Sequence, residues 1–224
     1  MSKNKLQKFA DVRRFSNVHE ITDFESQHEK PRGKWNSEIF TKNQPITLEL
    51  ACGKGEYTLE LARNYQGRNF IGVDIKGARI WKGAKQALEE ELENVRFLRI
   101  YIDHVEEYFA PGEVDEIWIT FPDPYPKRRD KKKRLTSPQF LRRYKNILTE
   151  MSKLHLKTDS SSLFDYTLGT LEELNLPVEE VIRDVHRECS EESMLRTVTT
   201  FYEKQHLEDG KIIKYVRFRL NSTM

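Results

Sequence analysis

The chain has 224 residues, enough for one sizeable domain and short for two. Hydrophobic residues make up 37% and charged residues 33%, yet the net charge is only +2, so affinity for a polyanion has to come from local patches. No apolar run approaches the ~18 residues of a membrane-spanning helix, and the basic N-terminus has no apolar core, which argues against a membrane protein and a secretory signal. The two cysteines, Cys52 and Cys189, lie far apart in no metal-ligand spacing. The expectation is a reduced, cytoplasmic protein without a bound metal.

Residues 1–44 are polar and read as an arm, with residues 45–224 as a single domain. Lys3, Lys5, Lys8, Arg13 and Arg14 make the arm basic, and Phe9, Val12 and Phe15 are spaced for one apolar helical face. Two readings stand: a frayed tail, or a segment that orders on an RNA partner. Trp35 and Phe40 are expected to pack it onto the domain. Ile46 to Ala51 reads as the first strand. It runs into Cys52-Gly-Lys-Gly-Glu-Tyr57 and a helix from Thr58 to about Tyr65. Strand, glycine turn and helix form the entry of a nucleotide-binding α/β unit, with Gly53 and Gly55 letting the backbone pass close to a ligand. The third glycine of a dinucleotide fingerprint is absent; Thr58 stands in its place. Glu49, inside the strand, is an acid on an apolar background and needs a donor. It has two readings: a bond to a neighbouring loop N–H, or a contact that positions a cofactor.

Asn69 to Asp74 is a second strand ending in an acid, about 20 residues after the glycine turn, where a carboxylate can take ribose hydroxyls. Gly77 to Glu93 is helical. Val95 to Tyr101 is the third strand, and Ile102-Asp-His104 is the loop at its end. Asp103 there either accepts a hydrogen bond from an adenine or caps the next helix. Val114 to Phe121 is the fourth strand. It meets Pro122, Pro124 and Pro126, which stop the sheet and hold Asp123 on a stiffened turn. Seven of the eight residues from Lys127 to Arg134 are basic, so a fixed carboxylate is followed at once by a cationic loop. A helix from Pro138 to about Leu148, a strand from Lys153 to Thr158 and a helix capped by Ser160 or Ser161 follow. Then come a strand from Val178 to Val185, a helix from Thr197 to Leu207 and a final strand from Lys211 to Leu220.

Strands alternate with helices, so the class is α/β with a mostly parallel sheet. The unusual residues gather at the carboxyl ends of strands, where such sheets bind ligands: Gly53, Gly55, Asp74, Asp103, Asp123 and Asp159. The closing strand–helix–strand, ending after Asp209-Gly210, predicts seven strands with an antiparallel last one. That favours a methyltransferase-type sheet over a dehydrogenase.

With Glu49-Leu-Ala-Cys-Gly-Lys-Gly55, Gly72-Val-Asp74, Phe121-Pro-Asp-Pro-Tyr-Pro-Lys127 and His155-Leu-Lys-Thr-Asp159 in view, the chain resembles the bacterial tRNA (guanine-N7-)-methyltransferases from about Ile46 onward. The proline-rich stretch followed by the basic run is the most specific part. The resemblance implies a class I, Rossmann-like fold and S-adenosylmethionine as methyl donor. It implies a guanosine in the variable loop of tRNA as substrate, with the protein a monomer or homodimer. It assigns the donor to Glu49, the Gly53–Gly55 turn, Asp74, the Tyr101–Asp103 loop and Asp123. It assigns the guanosine or its surroundings to Lys127, Asp159 and Thr200-Phe-Tyr-Glu203, hence Thr200, Tyr202 and Glu203. Arg129, Lys131, Lys132, Lys133 and Arg134 are expected to face RNA. Three departures stand out: Tyr101 where many members carry Asp, Met151-Ser152 where many have Gly-Gly, and Tyr125 where Trp is frequent.

Guanine N7 carries an in-plane lone pair, so no base is needed there and the work is alignment and electrostatics. Asp123 is the catalytic candidate, stabilising positive charge on the purine, with Asp159 next. The rival readings are a methyltransferase for an exocyclic amine and a non-catalytic RNA-binding protein on a nucleotide-binding scaffold. A dehydrogenase stands third.

Overall fold

The computed structural model describes residues 3–20 and 30–220, with side chains from residue 7 in the first helix; Lys3 and Lys5, named above, have side chains outside the described residues. Eight strands among the described residues form one sheet in the order β1-β4-β3-β2-β5-β6-β8-β7. They are β1 (Val18–Glu20), β2 (Ile46–Leu50), β3 (Asn69–Val73), β4 (Val95–Arg99), β5 (Val114–Thr120), β6 (Leu148–Thr158), β7 (Val178–Ile182) and β8 (Lys214–Phe218). Every residue of β2 and β3 is buried, as befits parallel strands covered on both faces. β8 runs antiparallel to both β6 and β7. The seven strands from β2 onward thus have the expected arrangement.

The eighth is a correction. β1 comes from the arm and lies parallel to β4, pairing Val18 with Phe97 and Glu20 with Arg99. Val-His-Glu is too short and too polar to show a period of two, so it is silent in the sequence. Other described parts of the arm are built in as well. Helix α1 (Lys3–Val12) carries the expected Val12, which is buried. Trp35 stacks on Phe109 at 5.3 Å and donates from Nε1 to the Tyr108 carbonyl at 2.9 Å.

Helices α2 (Glu56–Asn64), α3 (Gly77–Glu89), α4 (Pro138–Lys145) and α5 (Ser161–Glu173) connect the parallel strands. Pro138 opens α4, and Ser160 Oγ accepts from Leu163 N at 3.2 Å to cap α5. The segment after β7 departs from expectation. The strand stops at Ile182, and the one-turn helices α6 (Val185–Glu188) and α7 (Met194–Thr197) precede α8 (Phe201–Glu208). Asp184 forces the change by capping α6, accepting from Arg187 N at 3.2 Å.

β2 and β5 are neighbours although two other strands separate them in sequence, so the strand order reverses between them. A crevice opens at the carboxyl ends of strands at such a point.

Candidate active site

A cavity of ≈450 Å³ lies there, within the range of small-molecule sites. Asp74, Ile75 and Lys76 after β3, Ile100 to Asp103 after β4, and Phe121 to Asp123 with Tyr125 after β5 line it. Lys132, Lys133, Leu135 and Phe140 close the far side, and Arg79 comes from α3. Three lining residues other than glycine, Ala51, Phe121 and Tyr125, have positive φ (60°, 46° and 42°). Such backbone costs of order 1–3 kcal/mol each and persists only where its surroundings hold it.

Arg134 supplies part of that hold. It is only 4% exposed and points inward. Its Nε donates to the Pro124 carbonyl at 3.0 Å and its Nη2 to the Tyr125 carbonyl at 3.0 Å, while the guanidinium lies 4.3 Å from the Tyr166 ring. The expectation that Arg134 faces RNA is therefore corrected: it clamps the proline turn. Arg129, Lys131, Lys132 and Lys133 are exposed on a 3₁₀ helix, Arg128–Lys133, with Lys132 and Lys133 reaching the cavity. Asp130 offsets part of that charge, pairing with Lys133 at 2.8 Å. Lys127 precedes this helix and is exposed, outside the cavity lining.

Glu49 is buried and does not line the cavity. Its Oε2 accepts from Thr58 N at 2.8 Å and from the Thr58 hydroxyl, and its Oε1 accepts from Thr120 Oγ1 at 2.6 Å. It thereby ties the first turn of α2 to the end of β5. Burial pushes its pKa up to about 7, against the three hydrogen bonds that pull it down. Of the two readings, the structure shows the internal bonds. Asp74 lines the cavity and holds the glycine turn, accepting from Gly53 N at 2.9 Å and Lys76 N at 2.8 Å. Gly55 has φ 70°, and a Cβ there would fall 2.5 Å from the Phe97 ring, so only glycine fits.

Tyr101 is 63% exposed and stands at the cavity wall. Asp103 sits in a 3₁₀ helix, Ile102–Glu107, which replaces the expected loop. Asp103 does not cap that helix; it lines the cavity, and its carbonyl accepts from Arg143. Asp123 is exposed at the rim, and among the described residues no hydrogen bond or ion pair reaches its carboxylate.

The substrate-side expectations divide. Asp159 is half-buried and bound to Lys211 at 3.0 Å and His206 at 3.4 Å. Tyr202 is exposed, 5.8 Å from the guanidinium of the lining residue Arg79. Thr200 and Glu203 are corrected. Thr200 caps α8, accepting from Glu203 N at 3.1 Å. Glu203 is 0% exposed and takes Lys157 Nζ at 2.8 Å, which also donates to the Leu195 and Val198 carbonyls at 2.6 and 3.1 Å. A buried charge needs such partners, and these leave Glu203 no face toward a ligand. Sequence reasoning missed Lys76 and Arg79. Their position just after Asp74, three apart at the start of a helix, was the available signal.

A protein-family model described as "Putative methyltransferase" matches residues 43–215. A tRNA (guanine-N(7)-)-methyltransferase of Christiangramia forsetii is 48% identical over 98% of this chain and 99% of its own. The chain belongs to the tRNA (guanine-N7-)-methyltransferase family. A member from Bacteroides fragilis is 45% identical over 98% of this chain and 87% of its own, and one from Streptococcus suis 35% over 84% and 86%. Among solved structures, the 16S rRNA methyltransferase KamB superposes with a TM-score of 0.61 at 13% identity, covering 80% of this chain and 88% of that one. That likeness carries the methyltransferase fold. Among the described residues of this family member, no helix is long and apolar enough to cross a membrane.

Proposed function

We infer that the protein methylates N7 of a guanosine in tRNA, with S-adenosylmethionine as donor. The observation that carries this is the position of Asp123. A carboxylate with no partner among the described residues stands at the rim of the cavity, beside Lys132 and Lys133 and the exposed cations that follow the proline turn.

The cavity suits the donor chemically. Asp74 and Asp103 offer acceptors for hydroxyl and amino groups, and Ile75, Ile100, Ile102, Leu135 and Phe140 offer apolar wall for a purine. Tyr101 presents an aromatic face at the same wall. Bound there, the donor supplies an electrophilic methyl on a positively charged sulfur.

The chain's own groups then have limited work. Guanine N7 needs no deprotonation, so alignment dominates. Positive charge grows on the purine as the methyl arrives, and the Asp123 carboxylate stabilises it. The same carboxylate can accept from the N1 and N2 hydrogens of guanine, fixing the base edge-on. Lys127, Arg128, Arg129, Lys131 and Lys132 hold phosphates, and the basic run keeps the RNA backbone beside the rim. Tyr202, exposed and 5.8 Å from the guanidinium of the lining residue Arg79, suits stacking against a base.

Incubation with methyl-labelled S-adenosylmethionine and unmodified tRNA, followed by digestion to nucleosides, tests the reading. Labelled 7-methylguanosine is expected. Label on an exocyclic amine would overturn the placement of the base. No label, with no donor binding by calorimetry, would leave an RNA-binding scaffold.

A further inference from the structure

The N-terminal arm is fastened to the side of the domain that carries the cavity. Trp81 Nε1 donates to Asp11 Oδ2 at 3.0 Å, and Asn17 Nδ2 donates to the Ala84 carbonyl at 2.9 Å. Phe97 N donates to the Asn17 carbonyl at 2.8 Å, and β1 then sets Glu20 level with Arg99. Arg99 sits between two parts of the cavity wall. It immediately precedes Ile100 and Tyr101, and its Nε donates to the carbonyl of Ile75 at 3.0 Å. Its Nη1 is bonded to the Glu20 carboxylate. Phe9 of α1 covers the guanidinium, 4.9 Å from the ring centre. Gly77 leaves room for this: a Cβ there would stand 2.9 Å from Arg99 Nε and 3.0 Å from the Phe9 ring.

We propose that Glu20, carried in by the N-terminal arm, is a positioning residue for the donor site. It fixes the planar fork of Arg99, and Arg99 in turn holds the Ile75 turn against the Ile100–Tyr101 wall. A guanidinium presents its donors in one rigid plane, so an anion on one edge sets the direction of the other. Without Glu20 the fork is free to turn, and the Ile75 carbonyl loses its lateral restraint. Asp74 still holds Gly53 and Lys76, so the site loosens without collapsing. The consequence falls on donor affinity and not on the chemistry once the donor is bound. The inference rests on reading the cavity as the S-adenosylmethionine site.

The test uses the full chain and the variants Glu20→Ala, Glu20→Gln, Arg99→Lys and Trp81→Phe. Donor binding is measured by calorimetry, and kcat and KM are measured for donor and tRNA separately. Glu20→Ala is expected to weaken donor binding about tenfold, the order of one charge-assisted hydrogen bond. Its kcat at saturating donor and its KM for tRNA stay within about twofold of wild type on the same scale. Glu20→Gln should recover part of the loss, because its amide oxygen still accepts from Arg99. Arg99→Lys should match Glu20→Ala, since one ammonium cannot span both partners. Trp81→Phe removes the bond to Asp11 but keeps the Glu20–Arg99 contact, and should weaken donor binding clearly less than Glu20→Ala. Wild-type donor affinity in Glu20→Ala would overturn the inference. So would a loss confined to tRNA, or an equal loss in Trp81→Phe. Absence of donor binding by the wild-type chain would overturn the donor-site reading and this inference with it.

Discussion

Asp123 and Glu203 both stand near the carboxyl end of the sheet, in stretches the family resemblance assigns to ligands. Their surroundings are opposite. Asp123 is exposed, with no partner among the described residues, whereas Glu203 is fully buried against Lys157 and half-buried His186. The same contrast separates Glu49 from Asp103 and Arg134 from Arg129. Motif side chains in this fold therefore do two jobs. One set is exposed at the rim, where a ligand can reach it. The other is saturated inside and holds the strained turns that carry the first set.

The contrast is sharpest at Lys157. Burial pushes its pKa down, against the pull of Glu203. Lys157→Met leaves the buried Glu203 with only His186 at 3.4 Å, and is expected to cost ~3–5 kcal/mol of stability. The double variant Lys157→Met with Glu203→Leu should recover much of that, because a well-packed apolar pair avoids the desolvation cost. Denaturant unfolding of the two variants checks it. A double variant no more stable than the single one would mean the ion pair does more than hold α8.

At the rim the effect moves from stability to rate. Asp123→Ala should fold with an unchanged melting temperature and lose roughly a hundredfold in turnover, about 2.7 kcal/mol of transition-state stabilisation. Donor affinity measured beside kcat separates a charge-stabilising role from a donor contact. Normal turnover would remove Asp123 from the mechanism.

Glu49 gives the buried set a pH signature. Its carboxyl has an ordinary value of 4.5 and is pushed up to about 7 in the fold. Below 4.5 both folded and unfolded chains hold the proton, and the group contributes no slope. Between 4.5 and 7 the folded chain holds a proton the unfolded chain has released, so stability falls as pH rises. The slope from this group approaches roughly 1.4 kcal/mol per pH unit at most, and it ends above the raised value. Glu49→Gln can still accept from Thr58 and can donate to the Thr120 hydroxyl. It should fold and flatten the profile in that window. An unchanged slope in the glutamine variant would place the titration elsewhere.

Much of this was legible in the sequence because the signals were local. Apolar runs gave the buried parallel strands, and three of the acids at their ends, Asp74, Asp103 and Asp123, line the cavity, while Gly53, Gly55 and Asp159 do not. The proline-rich turn announced itself through residues with fixed backbone angles. What stayed hidden was set by tertiary contact. β1 has three residues and no apolar period, and exists because β4 needs an edge partner. Arg134 is chemically the same as Arg129, and only the Pro124 and Tyr125 carbonyls decide that it turns inward. Glu203 follows an exposed tyrosine by one residue, and a helical turn of about 100° per residue puts the two on different faces. A linear motif cannot say which of its members reaches the ligand and which reaches the core.

The basic run tests that last point with the smallest effects. Arg128 and Arg129 are exposed, and Arg134 is buried. Changing Arg128 and Arg129 to alanine should weaken tRNA binding several-fold at low salt. It should also reduce the slope of log affinity against log salt by roughly 0.7–0.9 for each phosphate no longer neutralised, with the melting temperature unchanged. Arg134→Ala should do the reverse. It leaves the Pro124 and Tyr125 carbonyls without their donor, at a cost of about 1–3 kcal/mol in stability, and it leaves the salt slope alone. Its turnover falls too, because the turn beneath Asp123 is then free to relax from the positive φ of Tyr125. Salt titrations of the two variants at one temperature decide between the roles. An equal fall in slope for both would put Arg134 on the RNA as well, and the division between rim and support would then not hold in this loop.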